Sequence, residues 1–424
     1  MSKLRYPIFA SCLVLSVCLQ TSLAQSDKAR KIDDFITPFA KANQFSGVVL
    51  AAENGKVIYE KAFGLANADF KIPNQLNTRI GIASITKYMT SVILSRLVES
   101  NKIALADKLS KYIPDFPNGD KITIEMLARH RSGILHRVMP SEAESLAYTS
   151  AEFIEKVKQA KLAFEPGTGR LYSSAGYAVL ARVLEIVSGK PYSQLLQEYV
   201  FAPAGMTDSV DFDGDAVIER RAQDYYLSPN GLVNVPLKNY SFLVGAGSVY
   251  GTAHDVYRFG EAVLDGKYGE GVKTNLLGQT NLSGSGSTNG HRSYFEIARD
   301  RKYGFVILAN SAGVFDLISR GLLEILQGKE VTVKSFTIPQ IIPNPNKDLA
   351  EFLGHYKRDD GSEGEVVLRN GFLYSGDIKL YPTKTDCFFE YRFFGDVCFV
   401  RDQAAKIKEI KWKGSSFDFT WVKQ

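Results

Sequence analysis

The chain has 424 residues, of which 45% are hydrophobic and 23% charged, and its formal net charge is +5. That length and balance fit a folded protein of two domains and exclude a disordered or low-complexity chain. The excess of positive charge is too small for a nucleic-acid binder, no basic stripe is interleaved with aromatics, and no Cys/His cluster has metal-ligand spacing. Neither nucleic acid nor a cofactor or metal is expected.

Lys3 and Arg5 precede an apolar run over 8–19, and Ser22-Leu23-Ala24 follows. This pattern predicts a signal peptide over 1–24 with small residues at the cleavage positions, hence a periplasmic or secreted product. The run is too short to span a bilayer and no later segment is longer, so no transmembrane anchor is expected after cleavage.

Residues 28–44 have the spacing of an amphipathic helix. Two strands, 47–53 and 56–60, flank Asn54-Gly55, which favours a tight hairpin turn. A helix then opens at Gly81-Ile82-Ala83-Ser84-Ile85-Thr86-Lys87 and runs to Val98. Residues i and i+3 share a helix face, so Ser84 and Lys87 can meet in one pocket. A serine hydroxyl becomes a nucleophile when a neighbouring base takes its proton, and a desolvated lysine can serve. A short helix is expected over 122–128, another through 160 behind the capping box Thr149-x-x-Glu152, and a third over 178–187 stopped by Gly189. Residues 205–245 read as irregular. A glycine-rich bend, Gly245-Ala246-Gly247, precedes a helix over 255–264. After Ser283-Gly284-Ser285-Gly286-Ser287 come a hairpin, 293–298 with 303–310, and a helix over 314–326.

Pro339, Pro343 and Pro345 mark a stiff linker over 333–347. Beyond it, short apolar runs separated by Gly361, Asn370-Gly371, Gly395 and Gly414 predict an antiparallel β domain over 348–424. Within it Cys387 and Cys398 admit two readings, a cross-strand disulfide or two buried thiols.

Six motifs in order and spacing make the chain resemble the serine β-lactamase and penicillin-binding protein superfamily, in particular the class C β-lactamases and related esterases and peptidases. They are Ser84-x-x-Lys87, the run Leu127 to Gly133, Pro166-Gly167-Thr168 leading to Tyr172-Ser173-Ser174, Pro203-Ala204-Gly205-Met206, Gly245-Ala246-Gly247-Ser248, and Gly284-Ser285-Gly286-Ser287. The resemblance implies an α+β (α/β) fold: an antiparallel sheet flanked by helices with a helical subdomain over 25–332, then a small lipocalin-like β-barrel. It implies Ser84 as acylated nucleophile, Lys87 and Tyr172 as the groups that move its proton, and the amides of Ser84 and Ser287 as oxyanion hole. Ser174, Gly284, Ser285 and Gly286 are the implied substrate-binding positions. Two departures stand out: Ser174 replaces an asparagine, and Gly284 replaces a lysine or histidine that meets a substrate carboxylate. Ser174 reads equally as a turn residue or as part of the site, and His130 as a structural hydrogen-bonder; Arg292 or His291 could replace the missing cation, but both read better as solvent-facing. The expected activity is an acyl-enzyme serine hydrolase on a small-molecule or peptide substrate, an esterase or amidase with weak or no β-lactamase activity and a preference for neutral substrates. The alternative is a non-catalytic protein that recognises cell-wall peptide or a protein partner. The sequence does not set the oligomeric state.

Overall fold

The computed structural model describes residues 27–424 except 213, 270, 273–280, 312, 332–336, 360–361 and 415–416. The expected signal peptide and the first part of the expected linker lie outside the described residues.

Helix α1 (Asp27–Lys41) buries Ala29, Ile32, Phe35, Ile36 and Phe39, the three-and-four spacing of one apolar face. Strands β1 (Ser46–Glu53) and β2 (Lys56–Phe63) follow. Asn54 and Gly55 between them both have positive φ, as a two-residue primed turn requires. Helix α2 (Thr86–Glu99) is entered through a single 3-10 turn, Ala83–Ile85. Helix α3 (Ser150–Lys158) carries the expected capping box in full. Helix α4 (Ser174–Ser188) starts earlier than the sequence implies, because the Ser173 hydroxyl caps it by accepting the N–H of Gly176 at 2.8 Å. Gly189 ends it in the left-handed conformation.

The stretch expected to be irregular contains a hairpin, β3 (Tyr225–Ser228) and β4 (Gly231–Asn234). Strands β5 (Asn281–Ser287), β6 (Arg292–Ala298) and β7 (Gly304–Ser311) complete the sheet, with helices α5 (Ala253–Leu264) and α6 (Phe315–Leu326) against its faces. The order is β5-β6-β7-β1-β2, and β3 joins β7 through Ser311 and Tyr225. All pairs along the five-strand path are antiparallel, and the early strand β1 lies between β2 and the late strand β7. Side chains alternate across a strand. Val48 and Leu50 therefore enter the core beneath α2, α4 and α5, while Val49 and Ala51 enter the one under α1 and α6.

From Gly354 to Lys423 nine short antiparallel strands form a nearly closed sheet around Phe352, Tyr356, Phe388, Phe399 and Trp412. Within it, strand Cys387–Glu390 pairs with strand Gly395–Arg401. Cys387 stands directly opposite Cys398, and the two form a disulfide. This hairpin also buries Phe389, Tyr391 and Phe394 in the core under α1 and α6, with Leu227 and Phe315. The β domain is thus joined to the larger one through a common apolar core.

Candidate active site

The 3-10 turn before α2 is held in a conformation that L-residues avoid: Ala83, 1% exposed, has φ +49°. That turn presents Ser84 to a cleft of about 1020 Å³. One turn along α2, Lys87 is 5% exposed, and its Nζ lies 3.2 Å from Ser84 Oγ, 3.1 Å from Ser174 Oγ and 2.7 Å from the carbonyl oxygen of Ala246. Thr90, on the same helix face, donates to the Gly245 carbonyl at 2.6 Å and meets Tyr192 OH at 2.6 Å. This fixes the glycine-rich bend so that the Ala246 carbonyl faces the amine. Tyr172 OH donates to Ser84 Oγ at 2.8 Å.

Burial lowers the Lys87 pKa from 10.5 to about 7. A neutral amine has two N–H donors and one lone pair. The Ala246 carbonyl accepts one donor and Ser174 Oγ can take the other, which leaves the lone pair for the Ser84 proton. Tyr172 behaves differently: burial raises its pKa, and the Ser84 hydrogen bond offsets that only in part. The resemblance implies that Lys87 and Tyr172 both move the Ser84 proton; their environments give them different parts. Lys87 Nζ sits 4.9 Å from the centre of the Tyr172 ring, over its face.

Two histidines support this corner. His130 Nδ1 accepts the Ser173 N–H and His136 Nδ1 accepts the Ser174 N–H, each at 3.2 Å, so in both the ring proton belongs on Nε2. Burial, then the charge of Lys87, hold both pKa values at about 4. They are neutral props, as expected for His130; His136 is a residue that the sequence reading misses.

Among the described residues, strand β5 ends the sheet, with β6 its one neighbour. Thr288 donates its N–H to the His291 carbonyl. By the alternation of an antiparallel ladder, the N–H of Ser287 then points away from β6 into the cleft. Gly286 lies against the backbone of Ser84: a Cβ there would stand 2.4 Å from the Ile82 carbonyl and 2.8 Å from the Ser84 nitrogen. Only glycine lets the strand edge approach Ser84 so closely. Ser285, Gly286 and Ser287 line the cleft, and Ser174 joins them beside Lys87.

Three expectations are corrected. Gly284 does not line the cleft. It shares the inward face of β5 with Gly286, and a Cβ there would be 2.6 Å from the Phe295 ring and 3.1 Å from Tyr88, so aromatics fill the space beside it. His291 does not face solvent; it is 1% exposed and packs on Tyr250. Arg292 lines the cleft, bonded to Asp316 at 2.7 Å.

The beta-lactamase family model matches residues 32–328. The chain belongs to the beta-lactamase family. Members of this superfamily are serine hydrolases, and the chain is similar to several. It is 30% identical over 239 residues to the D-alanyl-D-alanine-carboxypeptidase/endopeptidase AmpH of Escherichia coli (strain K12), covering 53% of this chain and 58% of that one. It is 27% identical over 233 residues to the teichoic acid D-alanine hydrolase of Staphylococcus aureus (strain MRSA252), covering 55% and 57%. The chain thus spans under three fifths of the length of these curated relatives. The octameric penicillin-binding protein homologue from Pyrococcus abyssi superposes with a TM-score of 0.60 at 21% identity, covering 93% of this chain and 99% of that one. That likeness shows the fold. Among the described residues no helix is long and apolar enough to cross a membrane.

Proposed function

We propose that this beta-lactamase family member is a secreted or periplasmic serine hydrolase that cleaves an ester or amide bond through an acyl-enzyme on Ser84. The observation that carries the reading is the position of Ser84 Oγ, 2.8 Å from the Tyr172 hydroxyl and 3.2 Å from a buried lysine amine. Neutral Lys87 takes the Ser84 proton as Oγ attacks the substrate carbonyl carbon. The negative charge formed on the carbonyl oxygen falls between the amides of Ser84 and Ser287, where aimed donors are worth several kcal/mol of barrier. As the tetrahedral species collapses, the leaving oxygen or nitrogen takes a proton from Tyr172, which is replenished from Lys87. Water then attacks the acyl carbon as neutral Lys87 takes its proton, and on collapse Ser84 Oγ regains a proton through Tyr172, which Lys87 replenishes.

This reading assigns 25–332 to the hydrolase domain and 348–424 to the appended β domain. The test is covalent labelling by a fluorescent fluorophosphonate. Labelling of wild type and its loss in Ser84→Ala is the expected result. An unlabelled wild type would favour the non-catalytic binding alternative.

A further inference from the structure

We propose that the C-terminal β domain completes the substrate site, with Arg392 as an anion-binding residue that selects carboxylate-bearing substrates; this rests on the hydrolase reading of Ser84. Arg392 lies on the turn that joins strands Cys387–Glu390 and Gly395–Arg401, yet it lines the same cleft as Ser84 and Lys87. The turn is rigidly held. The Glu390 carboxylate, 0% exposed, accepts the N–H of Arg392 at 2.8 Å and that of Phe393 at 3.0 Å. Tyr391 and Phe394 on either side are buried in the shared core, and the disulfide crosses the hairpin just behind.

The guanidinium is oriented by three groups: it donates to Asp377 at 2.9 Å, donates to Asn289 Oδ1 at 3.4 Å, and lies 5.2 Å from the centre of the Tyr226 ring. Its neighbour Phe393 packs on Arg292, the cleft residue anchored by Asp316. The surroundings favour an incoming acceptor. Asn289 is 2% exposed, and its Nδ2 has no hydrogen-bond partner among the described residues. The cleft lining also carries Arg131, Arg137 and Arg170 against a single described carboxylate, Glu144, which is already paired with Lys238. A planar guanidinium with donors in a fork matches a carboxylate well. The neutral preference inferred from Gly284 is therefore reversed: the cation absent from β5 is supplied by another domain.

The experiment compares kcat/KM for p-nitrophenyl hemiglutarate with that for p-nitrophenyl butyrate, which lacks the terminal carboxylate. In Arg392→Ala the anionic-to-neutral ratio should fall about tenfold or more, the scale of a lost charge-assisted hydrogen bond, and Arg392→Lys should recover part of it. Asp377→Asn, which removes the competing negative charge, should raise the ratio, a gain that damage to the fold would not produce. Fluorophosphonate labelling of Ser84 in each variant reports an intact site. If wild type is labelled but the ratio is unchanged in both Arg392→Ala and Asp377→Asn, the anion subsite is wrong while the hydrolase reading stands. If wild type is neither labelled nor active on either ester, both fall together.

Discussion

Lys87 Nζ sits 2.7 Å from the carbonyl oxygen of Ala246, a group that can only accept. One N–H of the amine is therefore committed whatever its charge, and burial brings its pKa to about 7. The base form grows as pH rises through that value, so kcat/KM on a chromogenic ester should climb with an apparent pKa near 7. Tyr172→Phe should lower the rate while leaving that limb in place, because the burial-raised Tyr172 phenol does not titrate there. A limb that vanishes in Tyr172→Phe would assign it to the phenol. Stability carries the same signature. The unfolded chain holds the lysine proton up to about 10.5 and the folded chain releases it near 7, so stability rises with pH between those values. Lys87→Met should abolish that rise in urea titrations across the interval.

Ser174 occupies the place of an amide side chain and offers Lys87 an acceptor at 3.1 Å. Without it, charged Lys87 loses a partner and its pKa should fall further. Ser174→Ala should move the acidic limb to lower pH and reduce kcat about tenfold, the scale of one hydrogen bond to a charged group. An unchanged pH profile would make Ser174 a turn residue only.

Ala83 carries backbone strain next to Ser84, with φ +49°. The left-handed conformation costs an L-residue roughly 1–2 kcal/mol, and glycine avoids it at some entropic cost. Ala83→Gly should raise the denaturation midpoint slightly with Ser84 labelling retained, and Ala83→Val should lower both. If Ala83→Gly is destabilising, the turn is not strained.

Glu390 is a buried carboxyl whose pKa is pushed up to about 7 by burial, against the amides that favour its charged form. The unfolded group releases its proton near 4.5, so this residue makes stability fall as pH rises from about 4.5 to 7. Glu390→Gln should flatten that slope and, lacking one acceptor oxygen, loosen the turn that bears Arg392. Hydrogen exchange of the Arg392 and Phe393 amides would measure the loosening, and protection equal to wild type would count against it.

The disulfide closes a short loop, with a sequence separation of 11 between Cys387 and Cys398. On the chain-entropy estimate such a link is worth about 3 kcal/mol. The double variant Cys387→Ser, Cys398→Ser should lower stability by that order and, through the shared core of Phe389, Tyr391 and Phe394, broaden or split the thermal transition. An unaltered transition would show that the packing alone holds the hairpin.

The parts of the site that lie close together in sequence were legible there. Ser84 and Lys87 share a helix face, and Tyr172 leads into the capped helix that carries Ser174. What escaped was contributed across the tertiary structure: the Ala246 carbonyl, fixed by Thr90 from another element; His136, seen only once its loop folds against α4; and Arg392, whose place follows from the packing of a separate domain. Gly284 was misjudged for a reason within reach of the sequence. Side chains two apart on a strand share a face, so a strand whose Gly286 faces Ser84 turns Gly284 inward too, toward Phe295 opposite it in the ladder.

Strand β1 is bordered by β2 on one side and by β7 on the other, with Ser46 opposite Ser311. A ribosome delivers β1 and β2 early, but β7 only after the long stretch between Phe63 and Gly304 has been made. Until then Val48, Val49 and Leu50 sit on a strand with one unpaired edge, the condition under which nascent chains pair wrongly with each other. The sheet that frames Ser84 can close only when most of its sequence is available, so closure is a late event of high contact order and hence slow. Expression at low temperature or with chaperones should therefore raise soluble yield more than stabilising the native state does.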